Sequence, residues 1–191
     1  MAEHGFAATS VSAICRRSGL PPSSLYWHFG SKEGLLATVI ERGAMRWIDE
    51  IVGTNAPAGP PRQRLHDLLQ RLGATFAKRP AEYIRLLMLV TLERRDRPGP
   101  WHDTMERVRE RVRDMMRALL FDVFQPAGER LAREIARDGA EFALVFGDGV
   151  LFTAETNPRE VDPRALVTAL EIALLALGER RVAATRARRG S

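Results

Sequence analysis

The stretch Gly5 to Lys32, GFAATSVSAICRRSGLPPSSLYWHFGSK, decides the fold of the amino-terminal part. Ser10 is placed to cap a helix from about Val11 to Ser18, its hydroxyl accepting from an amide left free at the helix start. Gly19 ends that helix, because glycine takes the left-handed conformation of a tight turn at little steric cost. Leu20 is expected to plug the turn. Pro21 and Pro22 open a second helix, where the first turn needs no amide donor, and it runs from about Pro22 to Phe29. Two short helices joined in this way have the spacing of a helix-turn-helix, whose second helix lies in the DNA major groove.

Leu25 and Phe29, four apart, form the inner face of the second helix and are expected to meet Ile14 and the small Cys15. Ser23, Ser24, Trp27 and His28 form the outer face. That set is polar or aromatic with almost no carboxylates nearby, which suits phosphates and base edges. Ser31 is placed to cap the next helix, with Lys32 in its first turn, where free amides and a positive charge favour a phosphate.

The segment resembles the DNA-binding domain of the tetracycline-repressor (TetR) family. The residues that carry the likeness are Gly5-Phe6, Thr9-Ser10-Val11, Ile14, Gly19, Leu25-Tyr26-Trp27-His28-Phe29 and Ser31-Lys32-Glu33-Gly34-Leu35-Leu36. The resemblance implies that Thr9 or Ser10, Ser24, Tyr26 and Lys32 contact phosphates, while Pro22, Ser23, Trp27 and His28 face the bases. Two departures stand out. Pro21 occupies the position of a polar helix cap, and only Met1 to His4 precede Gly5-Phe6, where the family has a full first helix. Either the sequence starts late, which is the expectation, or the DNA-binding domain is short of core.

With 191 residues and 45% hydrophobic content, the chain can bury one good core and a smaller second one, so two domains are expected, 1–50 and 51–191. No apolar run has the length of a membrane span, and no leader is recognisable, so a soluble cytoplasmic protein is expected. The single cysteine, Cys15, forms no internal disulfide, and it and the four histidines lack metal-ligand spacing. The net charge of +5 suits a polyanion, yet much of it lies in the tail, where Arg180, Arg181, Arg186, Arg188 and Arg189 meet no acid after Glu179. That tail reads as a frayed, solvated end.

Proline and glycine divide the rest into helices, and no alternating pattern calls for a sheet, so the fold is all-α. The helices are expected over Lys32 to Val52, Arg62 to Arg79, Ala81 to Arg94, His102 to Phe124, Glu129 to Glu155 and Pro163 to Val182. Tyr83 to Leu92 is apolar nearly all round and reads as a central buried helix. Met105, Val108, Val112, Met115, Leu119 and Val123 make an apolar stripe backed by alternating charges. His102 reads as a surface group, and Asp148 as an exposed or interface-paired carboxylate.

Apolar side chains of the middle helices, Phe76, Tyr83, Leu87, Met88, Trp101, Met105, Met115 and Met116, are candidates for an effector pocket, since thioethers adapt to irregular shapes. Core packing explains each of them individually, and the pocket itself is what the resemblance implies. The last two helices carry more apolar surface than a hairpin hides in its own domain: Phe142, Val145, Phe146, Gly149, Val150 and Phe152, with Leu166, Ala169, Leu170, Ala173, Leu174 and Leu177. In the family such a pair meets its copy as a four-helix bundle about a twofold axis.

The function expected is a ligand-responsive transcriptional regulator, a repressor that binds a palindromic operator in double-stranded DNA as a homodimer and is released by a partly apolar small molecule. The alternative is a helical small-molecule-binding dimer that has lost DNA binding with its first helix. No catalytic set, cofactor motif or metal site is expected, and an all-helical enzyme is the weakest reading.

Overall fold

Breakers and caps set where each helix begins and ends. The computed structural model describes residues 5–53, 59–78, 82–93, 99–157 and 161–189, with the side chains of residues 82–85, 93, 155 and 189 outside the description. The helices are α1 (Gly5–Ala8), α2 (Val11–Ser18), α3 (Pro22–Phe29), α4 (Lys32–Val52), α5 (Pro61–Ala77), α6 (Glu82–Glu93), α7 (Pro100–Phe124), α8 (Glu129–Thr156) and α9 (Pro163–Arg189), with a short 3-10 turn at Gln125–Ala127. Among the described residues there is no strand.

Packing divides the chain into two compact units, each built from two separate stretches of sequence. The first joins Met1–Ile48 with Pro80–Arg109, and the second joins Asp49–Arg79 with Glu110–Ser191. In the first, Phe6, Leu36, Ile40, Leu86, Val90 and Trp101 form one buried cluster, with Ala37, Leu87 and Met105 against it. Each fully buried aliphatic side chain there contributes about 1.5–3 kcal/mol relative to exposure. Thus α1, α4, α6 and the start of α7 share a core, and the segment after residue 80 supplies much of it.

In the second unit α5, α8 and α9 meet closely because small residues permit it. A Cβ on Gly73 of α5 would lie 3.3 Å from the Cα of Arg164 and 3.4 Å from Val167 of α9. Gly178 of α9 leaves room for the buried ring of Phe124, whose nearest atom would lie 2.1 Å from a Cβ there. Ion pairs stitch the rims, Arg62 to Glu179 at 2.5 Å and Arg64 to Asp122 at 2.6 Å, and His66 Nδ1 lies within hydrogen-bond distance of the Glu171 carboxylate at 3.0 Å. Such exposed or half-exposed pairs contribute about 0–1 kcal/mol each, so the apolar contacts dominate.

Four expectations need correction. The tail does not fray: α9 remains helical to Arg189, because alanine and arginine are strong helix formers and Arg181 is held by Asp138 of α8 at 2.7 Å. The α7 stripe from Met105 to Val123 is only half-buried; the residues sealed inside are Trp101 and Thr104 in the first unit, and Met116, Leu120 and Phe124 in the second. A helix with apolar residues over a wide arc does not itself declare the centre of that arc. α6 is not buried all round, for Leu92 is 78% exposed. Leu20 does not plug its turn, being 48% exposed.

The charges on α7 behave as a solvated network. Arg113 pairs with Glu110 and, at 3.0 Å, with Glu141 of α8, while Arg117 meets Glu110 at 2.9 Å and Asp114 at 3.1 Å. The hydrogen bond to Glu141, aided by Glu110, raises the Arg113 guanidinium above its ordinary value. Arg137 and then Arg181 hold the Asp138 carboxyl below the usual carboxylate range.

Candidate nucleic-acid interface

The hairpin of α2 and α3 forms as its residues dictate. The Ser10 hydroxyl accepts from the amide of Ala13 at 3.1 Å, and Gly19, at φ 73°, donates its amide to the Cys15 carbonyl at 2.9 Å. Pro21 caps α3 in extended conformation without a side-chain hydrogen bond, and Pro22 stands in its first turn. The proline pair therefore starts the helix where the sequence places it, by preset backbone angles instead of a polar cap.

Leu25 is 2% exposed and Cys15 is buried as a free thiol. Phe29 and Ile14 are half-buried. Outward stand Pro22, Ser23, Tyr26, His28 and Trp27, the last 80% exposed. Ser24 is half-buried at the edge of this face. The Trp27 and His28 rings meet edge to face with centroids 4.6 Å apart. Arg16 and Arg17 are exposed at the end of α2.

The phosphate candidates are already engaged in local structure. Thr9 donates its hydroxyl to the Gly5 carbonyl at 2.8 Å, and Ser10 serves as the α2 cap. Lys32 lies over the Phe6 ring at 4.1 Å from its centroid and donates to the Phe6 carbonyl at 2.5 Å. An ammonium has three donors, so this contact orients Lys32 and leaves others to meet an anion. Ser31 accepts from the Gly34 amide at 3.0 Å and caps α4.

Gly34 has a structural role that motif spacing does not announce. A Cβ there would stand 2.0 Å from the Phe29 carbonyl oxygen, so only glycine allows α3 and α4 to turn so tightly. The signal in the sequence is a glycine inside a helical pattern.

The pocket candidates do not belong to one unit. Trp101 is buried in the core of the first unit, where Leu87 and Met105 pack against the same cluster and Met88 is half-buried. Phe76 and Met116 are buried in the second unit, with Met115 half-buried there. The Tyr83 side chain lies outside the described residues. The Trp101 indole N–H has no hydrogen-bond partner among the described residues.

The interface candidates also separate. Phe142, Val145, Gly149, Ala169 and Leu177 are exposed, and Phe146, Leu166 and Ala173 are half-buried. Val150 and Leu170, at 3% and 1% exposure, belong to the chain's own core and not to an outward surface. Phe152 and Ile172 are also exposed. Asp148 and His102 are exposed. Among the described residues no cluster of His, Cys, Asp or Glu could hold a metal, and no helix is long and apolar enough to cross a membrane.

Residues 1–39 match the family described as bacterial regulatory proteins, tetR family. The HTH-type transcriptional regulator UidR of Escherichia coli (strain K12) is 40% identical over 55 residues, 27% of this chain; the match spans 28% of the length of UidR. Among solved structures, a transcriptional regulator from Pseudomonas aeruginosa PAO1 has TM-score 0.76 and 22% identity, covering 93% of this chain and 84% of that one. FadR of Bacillus subtilis, solved in complex with stearoyl-CoA, has TM-score 0.65 and 17% identity, covering 91% and 90%. At these identities the structural likeness shows a common fold.

Proposed function

We propose, from the match of its residues 1–39, that this chain is a TetR-family regulatory protein. It acts as a transcriptional repressor, binding a palindromic operator as a homodimer and leaving it when a small, partly apolar effector binds. The observation that carries this is the outer face of α3, where Trp27, Tyr26, His28 and Ser23 stand exposed over the buried Leu25. Side chains so placed have no work inside the chain and the right shape for a groove.

Residues 1–50 read DNA in this proposal, with Thr9, Ser10, Ser24, Tyr26 and Lys32 toward phosphates and Pro22, Ser23, Trp27 and His28 toward bases. Residues 51–191 take the effector and pair the two copies. The exposed Phe142, Val145 and Phe152 of α8 and Ile172 and Leu177 of α9 support a symmetric four-helix interface. That FadR, of the same fold, holds stearoyl-CoA supports an apolar effector here. The protein works in the cytoplasm, as a regulator of genes must in a bacterium.

Release requires the effector to prefer a conformation that DNA disfavours, so coupling is reciprocal: operator weakens effector binding by the factor by which effector weakens operator binding. The decisive experiment is fluorescence anisotropy of the full chain with DNA flanking its own gene, across a salt series. Sequence-dependent, salt-sensitive binding is expected; binding indifferent to sequence, or none, would refute the proposal.

A further inference from the structure

α3 carries an unusual set of side chains for a helix that enters the major groove. Residues 22–29, PSSLYWHF, contain no arginine, lysine, asparagine or glutamine, the side chains that pair bidentately with guanine or adenine edges. The largest outward group is instead Trp27, 80% exposed, with Ser23 four residues before it on the same face. Within the chain its ring contact is with His28, edge on, at 4.6 Å.

An indole left this bare gains most from a partner group that is itself apolar. On the floor of the major groove that group is the C5-methyl of thymine. The indole N–H adds little discrimination, being a lone donor that any exposed acceptor can satisfy. His28 presents one or two hydrogen-bonding ring nitrogens and Ser23 a single hydroxyl, neither of which forms a bidentate pair. We propose that Trp27 is the specificity-determining residue of α3 and reads thymine through its 5-methyl group, so that thymine placement defines the operator. This rests on the DNA-binding reading above and names the feature of DNA that is read.

The test uses the full chain and a random duplex pool enriched by binding. In the selected site each thymine is replaced in turn by deoxyuridine, which removes the methyl group and nothing else. At one thymine of each half-site the replacement should weaken binding about fourfold, the effect of uncovering one buried carbon. A Trp27→Ala chain, measured at low salt where phosphate contacts still retain the DNA, should bind thymine and deoxyuridine duplexes equally. Its circular dichroism melt should match the parent, since the side chain is exposed. The proposal is overturned if the parent chain binds both duplexes equally at every position, or if Trp27→Ala still discriminates. Failure to enrich any duplex would remove the DNA-binding reading as well, whereas enrichment without methyl dependence removes this proposal alone.

Discussion

Two helical hairpins of this molecule expose aromatic side chains, and they do so differently. On α3, Trp27 stands among Ser23, His28 and Pro22, and the helix is anchored by one deeply buried side chain, Leu25. On α8 and α9, Phe142, Val145, Phe152, Ile172 and Leu177 are exposed on helices of 28 and 27 residues. An isolated aromatic in a polar setting suits a wet, charged partner such as DNA. An extended apolar stripe suits a second protein surface that excludes water along its length. Exposure alone therefore does not identify a partner; the neighbours of the exposed group do.

The sharpest way to separate the hairpins is to damage the core beneath one of them. Leu36 is fully buried in the cluster with Phe6 and Trp101. Leu36→Ala should cost about 2–5 kcal/mol in a thermal or denaturant melt of the amino-terminal unit. DNA binding should fall with it, while light scattering still reports twice the chain mass. Loss of both together would mean that the two surfaces do not fail independently.

Attacking the other hairpin should give the converse. Val145→Asp with Phe152→Asp places two carboxylates on the exposed stripe, where loss of a central interface side chain costs about 2 kcal/mol or more. Light scattering at micromolar concentration should then give the single-chain mass, and operator affinity should drop because two half-sites are no longer bound together. An unchanged mass, or a single-chain mass for the parent, would end the dimer assignment.

A smaller effect tests the orientation of Lys32. Lys32→Ala should lower the slope of log affinity against log salt by about one, uniformly across sequences. An unaltered slope would mean that its ammonium serves only Phe6. The smallest effect concerns the α8–α9 pair. Because Arg137 and Arg181 depress the Asp138 carboxyl, its contribution to stability is present above the ordinary carboxylate range and is lost as pH falls through the depressed value. The melting temperature should decline slightly further in acid for the parent than for Asp138→Asn; parallel acid profiles would show that the pair adds nothing.

Much of the hairpin of α2 and α3 is legible in the amino-acid sequence. Ser10, Gly19, the Pro21-Pro22 pair and Ser31 act on backbone groups within four residues of themselves, so α2 and α3 begin and end where those residues predict. Leu25 inward and Trp27 outward follow from helical spacing. Leu20 escapes prediction because burial depends on what covers a turn, and nothing local says what does. The helical tail escapes for a similar reason, its support coming from Asp138, 43 residues before Arg181.

By itself, then, the sequence determined the helices, their caps and the face α3 turns outward, since each depends on short-range hydrogen bonds and a 3.6-residue repeat. Only the tertiary structure decided that Trp101 and Leu86 complete a core with Phe6, and that Val150 and Leu170 are interior while Ile172 is not. Apolar residues on an all-helical chain are interchangeable to a local reading. Which of them meet is settled by helix packing across long separations in sequence.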